Sequence, residues 1–288
     1  MSVFVNKKTK VLVQGITGTQ ASFHIQKSLE DGTNIVAGVT PKKGGTFHLG
    51  VPVYNTVKEA IQETGADASV MFVPARQVVS AVKEGVEAEL DLMVCIADNV
   101  PAKDMLEIKA MLKGSKTKLI GPNTPGIITP NEARLGIFPA NIHQAGHIGI
   151  VSRSSTLTYE AVIETSLSQA GQSTVIGLGD DMMIGMDFVD ALQAFHDDPQ
   201  TQAIVMIGQM GGLFEEQGAA YYKKLSRKKP VIGFVAGNAV PHRMGYIGDL
   251  MTNGNITVKD KIETMKDAGM IVVERINDIH NELAKVIK

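Results

Sequence analysis

The chain has little of what several classes of protein require. Among its 288 residues there is one cysteine, Cys95, and no tryptophan, and aromatic residues make up 5%. A single cysteine excludes an internal disulfide and is typical of a reducing compartment, so we expect a cytoplasmic location. The scarcity of aromatic rings argues against rows of stacking platforms for single-stranded nucleic acid.

An excess of positive charge and long apolar runs are also lacking. The formal net charge is −2 and no run of lysines and arginines marks a basic patch, so nucleic acid is not expected as a partner. No apolar run approaches the roughly 18 residues that a membrane helix needs, and the first ten residues lack the apolar region of a signal peptide. We therefore predict a globular protein that does not engage a membrane.

Short apolar runs alternate with helix-like segments through the first half of the chain. Candidate strands lie at residues 10–14, 34–39, 69–73 and 90–96. Strands that alternate with helices of this length predict right-handed βαβ units and a parallel sheet. Ligands of such sheets bind at the carboxyl ends of the strands, so the loops that follow these runs are candidate binding loops.

The second half repeats this pattern after an irregular stretch. Residues 122–146 carry prolines and glycines without a clear period, and we interpret them as a junction between two domains. We therefore predict an α/β protein with one parallel unit over residues 1–121 and another over residues 147–288. The second has the rhythm of a flavodoxin-like domain.

The loop after the first strand is the leading candidate for a phosphate site. Gly15 and Gly18 follow the apolar run, and a helix is predicted from near Gln20. Backbone N–H groups and the positive end of a helix dipole would face an anion there. The spacing G-x-x-G is not the full G-x-G-x-x-G, so a plain tight turn is the alternative. No acidic residue ends the second strand, which argues against an NAD dehydrogenase.

Other strand-end loops also carry polar groups. Lys43 lies in a turn beside two glycines at the same predicted edge, where it would either pair with a phosphate or be a solvated turn lysine. Ser154 and Ser155 stand where a strand passes into a helix, which suits either a second anion site or ordinary N-capping. The glycine-rich loop 208–212 follows a further strand.

Three single residues carry weaker signals. Asp180 and Asp181 have the chemistry of a metal-binding pair, but adjacent carboxylates in a loop are usually solvated. The histidines show no ligand spacing, so no metal site is predicted. Cys95 lies in an apolar strand and is predicted to be inert.

Seven segments, taken in order, carry a resemblance to one family. They are VQGITGTQASFH, VAGVTPKKGG, HLGVPVYNTVKEA, IGPNTPG, IVSRSSTLTYEA, DPQTQAIVMIGQMGG and HRMGYIG. Together they resemble the α subunits of succinyl-CoA synthetase, and the resemblance is collinear from about residue 3 to residue 288. It implies a Rossmann-like CoA-binding domain followed by a flavodoxin-like CoA-ligase domain.

The resemblance also implies a reaction and a partner. Enzymes of this family join succinate and CoA at the expense of ATP or GTP. Succinyl phosphate forms first, and a histidine of the α subunit carries the phosphate between succinate and nucleotide. A separate ATP-grasp β subunit holds the nucleotide with its Mg²⁺. For this chain the resemblance implies such a β subunit, in a heterodimer or heterotetramer, with succinate and CoA as substrates.

Site residues follow from the resemblance by position. Tyr159 matches a tyrosine near the substrate, and Ser154 and Ser155 lie at the helix start that holds the phosphohistidine or succinate. The positions assigned to CoA are Thr17, Gly18, Thr19, Gln20, Lys43, Ile96, Ala97 and Asp98. The last three stand where the family often has Ile-Thr-Glu.

Departures from the family pattern are concentrated elsewhere. Tyr246 stands at the position of the phosphate-carrying histidine, and Gln209 stands at the position of the glutamate that orients it. The segment before Tyr246 is shorter than in the family and contains His242, a candidate substitute for the histidine. Three further replacements are Asp180-Asp181-Met182 for Gly-Asp-Pro, Ser155 for glycine and Thr124 for cysteine.

These departures affect the chemistry. A phosphohistidine passes its phosphate on because its leaving nitrogen can be protonated, whereas a phenol with a pKa of about 10 is a poor acceptor without a base. Gln209 cannot be that base, and Asp180 would repel a phosphate. Two hypotheses follow: an α-type subunit of a succinate–CoA ligase with an impaired phosphoryl relay, or an inactive CoA-binding paralogue with a regulatory or structural role. Both predict that CoA binds and that no stable phosphohistidine forms.

Overall fold

A computed structural model of the chain describes residues 3–237 and 257–287. The chain divides into two compact units, and each is described here by itself. The N-terminal unit comprises Phe4–Ala140 and Gly179–Met186, and the C-terminal unit comprises Asn141–Leu178 with Val3 and the described residues from Asp187 onward.

A mostly parallel sheet with helices forms the N-terminal unit. In chain order its first elements are β1 (Val11–Gln14), α1 (Thr19–Glu30), β2 (Ile35–Val39), β3 (Phe47–His48), β4 (Val51–Tyr54), α2 (Val57–Thr64), β5 (Ala68–Met71), α3 (Val78–Glu87), β6 (Leu92–Cys95), α4 (Ala102–Leu112) and β7 (Lys118–Ile120). The strand order is β3-β4-β2-β1-β5-β6-β7, with β3 antiparallel to β4. Without β3 the parallel strands run 3-2-1-4-5-6, which confirms the Rossmann-like α/β fold that the resemblance implies.

The strand register brings the predicted binding loops to one edge of this sheet. Gln14 at the end of β1 lies opposite Val39 on β2 and Met71 on β5, and Met71 lies opposite Cys95 on β6. The strand order reverses at β1, so a crevice opens beyond the carboxyl ends of these strands. β1, β2, β5 and β6 therefore end at a common level, and the loops that follow them begin at the same edge of the sheet.

Local sequence explains much of this unit. Every residue of β1 and β6 is buried, and both strands contain apolar runs. The exception is Gln14 at the end of β1, whose side-chain amide donates to the Ala81 carbonyl at 3.0 Å. Gly38 in β2 leaves room for Ile16, whose side chain would lie 2.5 Å from a Cβ at that position. The Thr56 hydroxyl accepts the Glu59 N–H at 3.2 Å and caps α2.

Residues 122–146 contain a hairpin that the sequence did not reveal. β8 (Gly126–Thr129) and β9 (Ala133–Gly136) pair antiparallel, and residues up to Ala140 belong to the N-terminal unit. Gly126 has a φ of 105°, and a Cβ there would lie 2.0 Å from the Leu135 carbonyl oxygen. Every residue of both strands is buried, so no polar–apolar alternation marks them.

The C-terminal unit has its own parallel sheet. Its elements in chain order are β10 (Ala145–Ser152), α5 (Ser155–Leu167), β11 (Gln172–Gly177), α6 (Phe188–Asp197), β12 (Ala203–Gly208), α7 (Phe214–Lys224), β13 (Val231–Val235), α8 (Val258–Asp267), β14 (Ile271–Val272) and α9 (Ile279–Val286). These strands lie in the order β14-β13-β12-β10-β11. The order is that of flavodoxin, 2-1-3-4-5 from the other edge, which confirms the predicted fold of this half.

Two helix starts in this unit show why the elements begin where they do. Thr257 and Asp260 form a capping box at the start of α8. Asp187 and Asp190 form another at the start of α6. Among the helices in the described parts of the chain, none is long and apolar enough to cross a membrane.

Candidate functional site

The loop between β1 and α1 presents backbone donors at the carboxyl edge of the N-terminal sheet. Gly15 has a φ of 81°, and a Cβ there would lie 2.9 Å from the Phe72 carbonyl oxygen, so glycine allows this close turn. Gly18 is the N-cap of α1 and has no side chain with which to cap it, and no acidic residue lies in the first turn. The positive end of the helix dipole is therefore available to an anion.

Lys43 lies beside this loop. Its Nζ donates a hydrogen bond of 3.0 Å to Thr17 Oγ1. The turn that carries it is held by the Thr46 hydroxyl, which donates to the Lys43 carbonyl at 2.7 Å, and by the Asn55 side-chain oxygen, which accepts the Gly44 N–H at 3.1 Å. The structure thus brings Lys43 and Thr17 together. An exposed ammonium beside an uncapped helix start is an arrangement that suits a phosphate.

The other residues assigned to CoA lie at the same edge. Gly18, Thr19 and Gln20 are exposed at the start of α1. Ile96 and Ala97 are half-buried and Asp98 is exposed directly after β6, where the Ala97 carbonyl accepts the Asn123 N–H at 2.8 Å. β6 is separated from β1 by β5 alone, so both loops border the same crevice.

Two further groups near this edge are the His48–Ser22 pair, which the sequence did not indicate, and the thiol of Cys95, which it predicted to be inert. His48 Nε2 lies 2.7 Å from Ser22 Oγ, which itself donates to the Gly18 carbonyl at 2.8 Å. With its own hydrogen donated, Ser22 Oγ accepts a hydrogen bond from His48 Nε2–H and connects the β3–β4 hairpin to the first turn of α1. Burial raises the pKa of the Cys95 thiol to about 12, so this thiol is not a nucleophile at neutral pH.

The helix start predicted as a second anion site is a capped one. Ser154 Oγ accepts the Leu157 N–H at 3.3 Å, so this hydroxyl serves as the N-cap of α5. Ser155 and Tyr159 are half-buried in the first turns of the helix, and burial raises the pKa of the Tyr159 phenol. No acidic residue lies in the first turn, so the helix dipole remains favourable to an anion.

Gln209 lies in the loop after β12 and is half-buried. Its N–H donates to Glu215 Oε1 at 3.0 Å, and Glu215 Oε2 lies 2.7 Å from Lys261 Nζ. Both partners are buried, and sequence reasoning named neither. One signal was present, because Lys261 falls on the buried stripe of α8, between Val258 and Met265.

Asp180 and Asp181 share one partner. The Asn123 side-chain amide donates to Asp180 Oδ1 at 2.6 Å and to Asp181 Oδ1 at 2.9 Å. Over residues 3–237 and 257–287, no three His, Cys, Asp or Glu side chains are grouped to hold a metal ion. His242 and Tyr246 lie outside the described residues, so the position of Tyr246 relative to Gln209 stays a prediction.

Solved structures share this fold. ATP citrate lyase from Methanothrix soehngenii in complex with citrate and coenzyme A has a TM-score of 0.86 at 23% identity, over 99% of this chain and 50% of that chain. The dinucleotide forming acetyl-coenzyme A synthetase 1 of Ca. Korarchaeum cryptofilum, in complex with phosphate and ADP, has a TM-score of 0.75 at 17% identity, over 96% of this chain and 60% of that chain. At these identities the likeness establishes the fold alone.

Sequence relatives are much closer. Residues 6–99 match the family described as CoA binding domain, and residues 151–271 match the family described as CoA-ligase. The chain is 48% identical to the ADP-forming succinate–CoA ligase subunit alpha of Staphylococcus epidermidis and 47% identical to that of Staphylococcus aureus. Both alignments span 290 residues, 100% of this chain and 96% of the relative. The chain therefore belongs to the family of succinate–CoA ligase α subunits.

Proposed function

We propose that the chain is the CoA-binding α-type subunit of a succinate–CoA ligase, which joins succinate and CoA through an acyl phosphate at the expense of ATP or GTP. The observation that carries the proposal is the pairing of Lys43 with Thr17 at the uncapped start of α1. The exposed ammonium and backbone N–H groups suit the phosphates of CoA. Ile96, Ala97 and Asp98 border the same crevice and are proposed as further CoA contacts.

The nucleotide belongs to a partner in this proposal. We propose an ATP-grasp β subunit that holds ATP or GTP with Mg²⁺, in a heterodimer or heterotetramer, and a cytoplasmic location. One observation supports a partner: the relatives are named as alpha subunits.

The phosphoryl relay is the step that we propose is impaired. Tyr246 and Gln209 stand where the family has a histidine and its orienting glutamate. Among the described residues, Glu215 is the carboxylate that contacts Gln209. It already accepts the Gln209 N–H and pairs with Lys261, so it does not replace the missing base. A phenol without a base accepts phosphate poorly.

Incubation of the α–β complex with γ-labelled ATP tests this relay. We expect no acid-labile, base-stable label on the α chain, and such a label would contradict the proposal. The Tyr246→His/Gln209→Glu double variant is expected to gain the label. The single variant Gln209→Glu serves as its control, because it restores the carboxylate without an acceptor nitrogen.

The alternative is a CoA-binding paralogue without ligase activity. The engagement of Glu215 by Lys261 favours it, since the loop then offers no free base beside Gln209. CoA binding is common to both functions, so turnover separates them. Formation of succinyl-CoA and ADP by the complex, even slowly, supports the ligase, whereas tight CoA binding with no turnover supports the paralogue. A chain that does not bind CoA contradicts both.

A further inference from the structure

Three buried charged side chains converge on the loop 208–212. They come from three elements: Arg153 follows β10, Glu215 lies in the first turn of α7, and Lys261 lies in α8. Their exposed fractions are 4%, 0% and 1%. Neither the sequence analysis nor the family assignment gives any of them a role.

Each contacts the backbone of this loop at a different point. Glu215 Oε1 accepts the N–H of Gln209 at 3.0 Å, at the beginning of the loop. Lys261 Nζ donates to the carbonyl of Gly212 at 2.7 Å, at its end. Arg153 Nη1 donates to the carbonyl of Gly211 at 3.2 Å. The two glycines have φ values of 85° and 70°, a conformation that glycine adopts without steric strain but that leaves the loop few side chains of its own to hold it.

The charged groups also hold one another. Glu215 Oε2 lies 2.7 Å from Lys261 Nζ, and Lys261 Nζ lies 2.9 Å from Glu216 Oε2. The Arg153 guanidinium lies 4.5 Å from the centre of the Phe214 ring and 3.9 Å from Glu215 Oε1. The side chains therefore form one connected network, and every contact with the loop is coupled to the others.

Stability alone does not account for such a network. Replacing a buried ion pair by apolar residues of similar volume is often neutral or stabilising, because two buried charges lose their hydration. An apolar pair, however, has no acceptor for the Gln209 N–H and no donor for the Gly212 carbonyl. What the charged groups provide beyond an apolar pair is a defined backbone conformation for the loop.

We propose that Glu215, Lys261 and Arg153 are positioning residues that clamp the loop 208–212 and set the backbone at Gln209. Residue 209 occupies the position of the orienting glutamate in the family. α8, which carries Lys261, is the first described element after the segment that contains Tyr246. The clamp thus joins the loop of residue 209 to the helix that follows position 246 in the chain. Its effect on turnover rests on the proposed ligase function.

A pair of double variants isolates the contact with Gln209. Glu215→Leu/Lys261→Met and Glu215→Gln/Lys261→Met both remove the two charges. Only the glutamine variant keeps an oxygen that accepts the Gln209 N–H. The surface pair Lys259–Glu263 on α8 is 3.9 Å apart and exposed, so Lys259→Met/Glu263→Leu controls for the loss of an ion pair on the same helix.

Amide hydrogen exchange in the full chain is the first measurement. We expect the Gln209 amide to exchange at least tenfold faster in Glu215→Leu/Lys261→Met than in Glu215→Gln/Lys261→Met. Central amides of β12, such as Val205, are expected to stay within twofold in both. A purely structural role would accelerate the whole unit alike. Equal exchange at Gln209 in the two variants overturns the proposal.

Turnover of the complex with its β subunit is the second measurement. We expect kcat to be at least tenfold lower in the leucine variant than in the glutamine variant, and to stay within threefold of the wild-type value in the surface control. The KM for CoA should be unchanged, since the CoA loops belong to the N-terminal unit. Equal kcat values in the two double variants overturn the clamp's role in turnover. A wild-type complex without turnover contradicts the ligase function instead, and the exchange comparison then decides the clamp.

Discussion

Each unit has a lysine that contacts a loop at the carboxyl ends of its strands, and the two lysines lie in opposite environments. In the N-terminal unit Lys43 is exposed and contacts the hydroxyl of Thr17 beside an uncapped helix start. In the C-terminal unit Lys261 is 1% exposed and contacts Glu215, Glu216 and the Gly212 carbonyl. The first lysine is available to a ligand, and the second is used by the protein itself. In our proposals the same type of side chain binds a ligand in one unit and holds a loop in the other.

The largest effect that tests this contrast is expected when each lysine is replaced by methionine and the free energy of unfolding is measured. Lys261→Met leaves the carboxylate of Glu215 buried without its close partner, and we expect the free energy of unfolding to fall by about 3–5 kcal/mol. Lys43→Met removes an exposed group and should change it by less than about 0.5 kcal/mol. Urea unfolding of the two variants measures both, and equal losses would contradict the contrast.

The affinity for CoA, unlike the stability of the fold, should depend strongly on Lys43. Lys43→Ala removes a charge-assisted contact with phosphate, so we expect the Kd for CoA to rise by about tenfold or more, with a weaker dependence on salt. Lys58→Ala removes an exposed lysine of α2 in the same unit and should leave the Kd within twofold. Titration calorimetry at two ionic strengths measures this. A similar Kd in both variants would exclude Lys43 from the site.

The uncapped start of α1 offers a variant with opposed effects. Gly18 has a φ of −72°, and a Cβ there would make ordinary contacts, the nearest at 3.4 Å. Gly18→Asp should cap α1 and add a few tenths of a kcal/mol to the free energy of unfolding. The carboxylate would also occupy the anion site, so CoA affinity should fall about tenfold. Gly18→Asn adds a cap without a charge and is the control for the repulsion between the aspartate and the phosphates. If Gly18→Asp binds CoA with normal affinity, the phosphates lie elsewhere.

The smallest effect concerns Cys95, a buried group at the otherwise open edge. Burial raises its pKa from 9.0 to about 12 in the folded chain, so the unfolded chain loses the thiol proton first as pH rises. The free energy of unfolding should therefore fall between about pH 9 and pH 12, by about 1 kcal/mol at pH 10. Cys95→Ala should reduce this fall without changing the profile below pH 8. Rapid reaction of the folded chain with a thiol reagent at pH 7 would contradict the burial.

Much of the fold is predictable because most of the buried parallel strands contain a short apolar run. β1, β6 and β12 are buried at every residue, and apart from Gln14 at the end of β1 they carry no strongly polar side chain. Helix starts with capping residues, such as Thr257, are equally visible. The hairpin β8–β9 was missed because its strands have only four residues each and are buried on both faces, so they show no clear hydrophobic period.

The residues of the candidate sites likewise divide into those that the sequence predicted and those that it did not. Sequence reasoning placed Lys43 at the edge that carries Thr17, because both residues follow parallel strands. It overlooked Glu215 and Lys261, which are 46 residues apart in the chain and meet through a hydrogen bond of 2.7 Å. A lysine in a helix is exposed in most proteins, so its type alone pointed to solvent.

The sequence by itself determined the α/β class and, through seven collinear segments, the family. It also predicts the loop 15–20 as a place for phosphate, and Tyr246 and Gln209 at the positions of the family's relay residues. Tertiary structure alone decided that Lys43 reaches Thr17, that Ser154 caps α5, and that a buried network holds the loop of Gln209. The physical reason is that strand and helix signals are local, whereas the environment of a charge depends on residues brought together from distant parts of the chain.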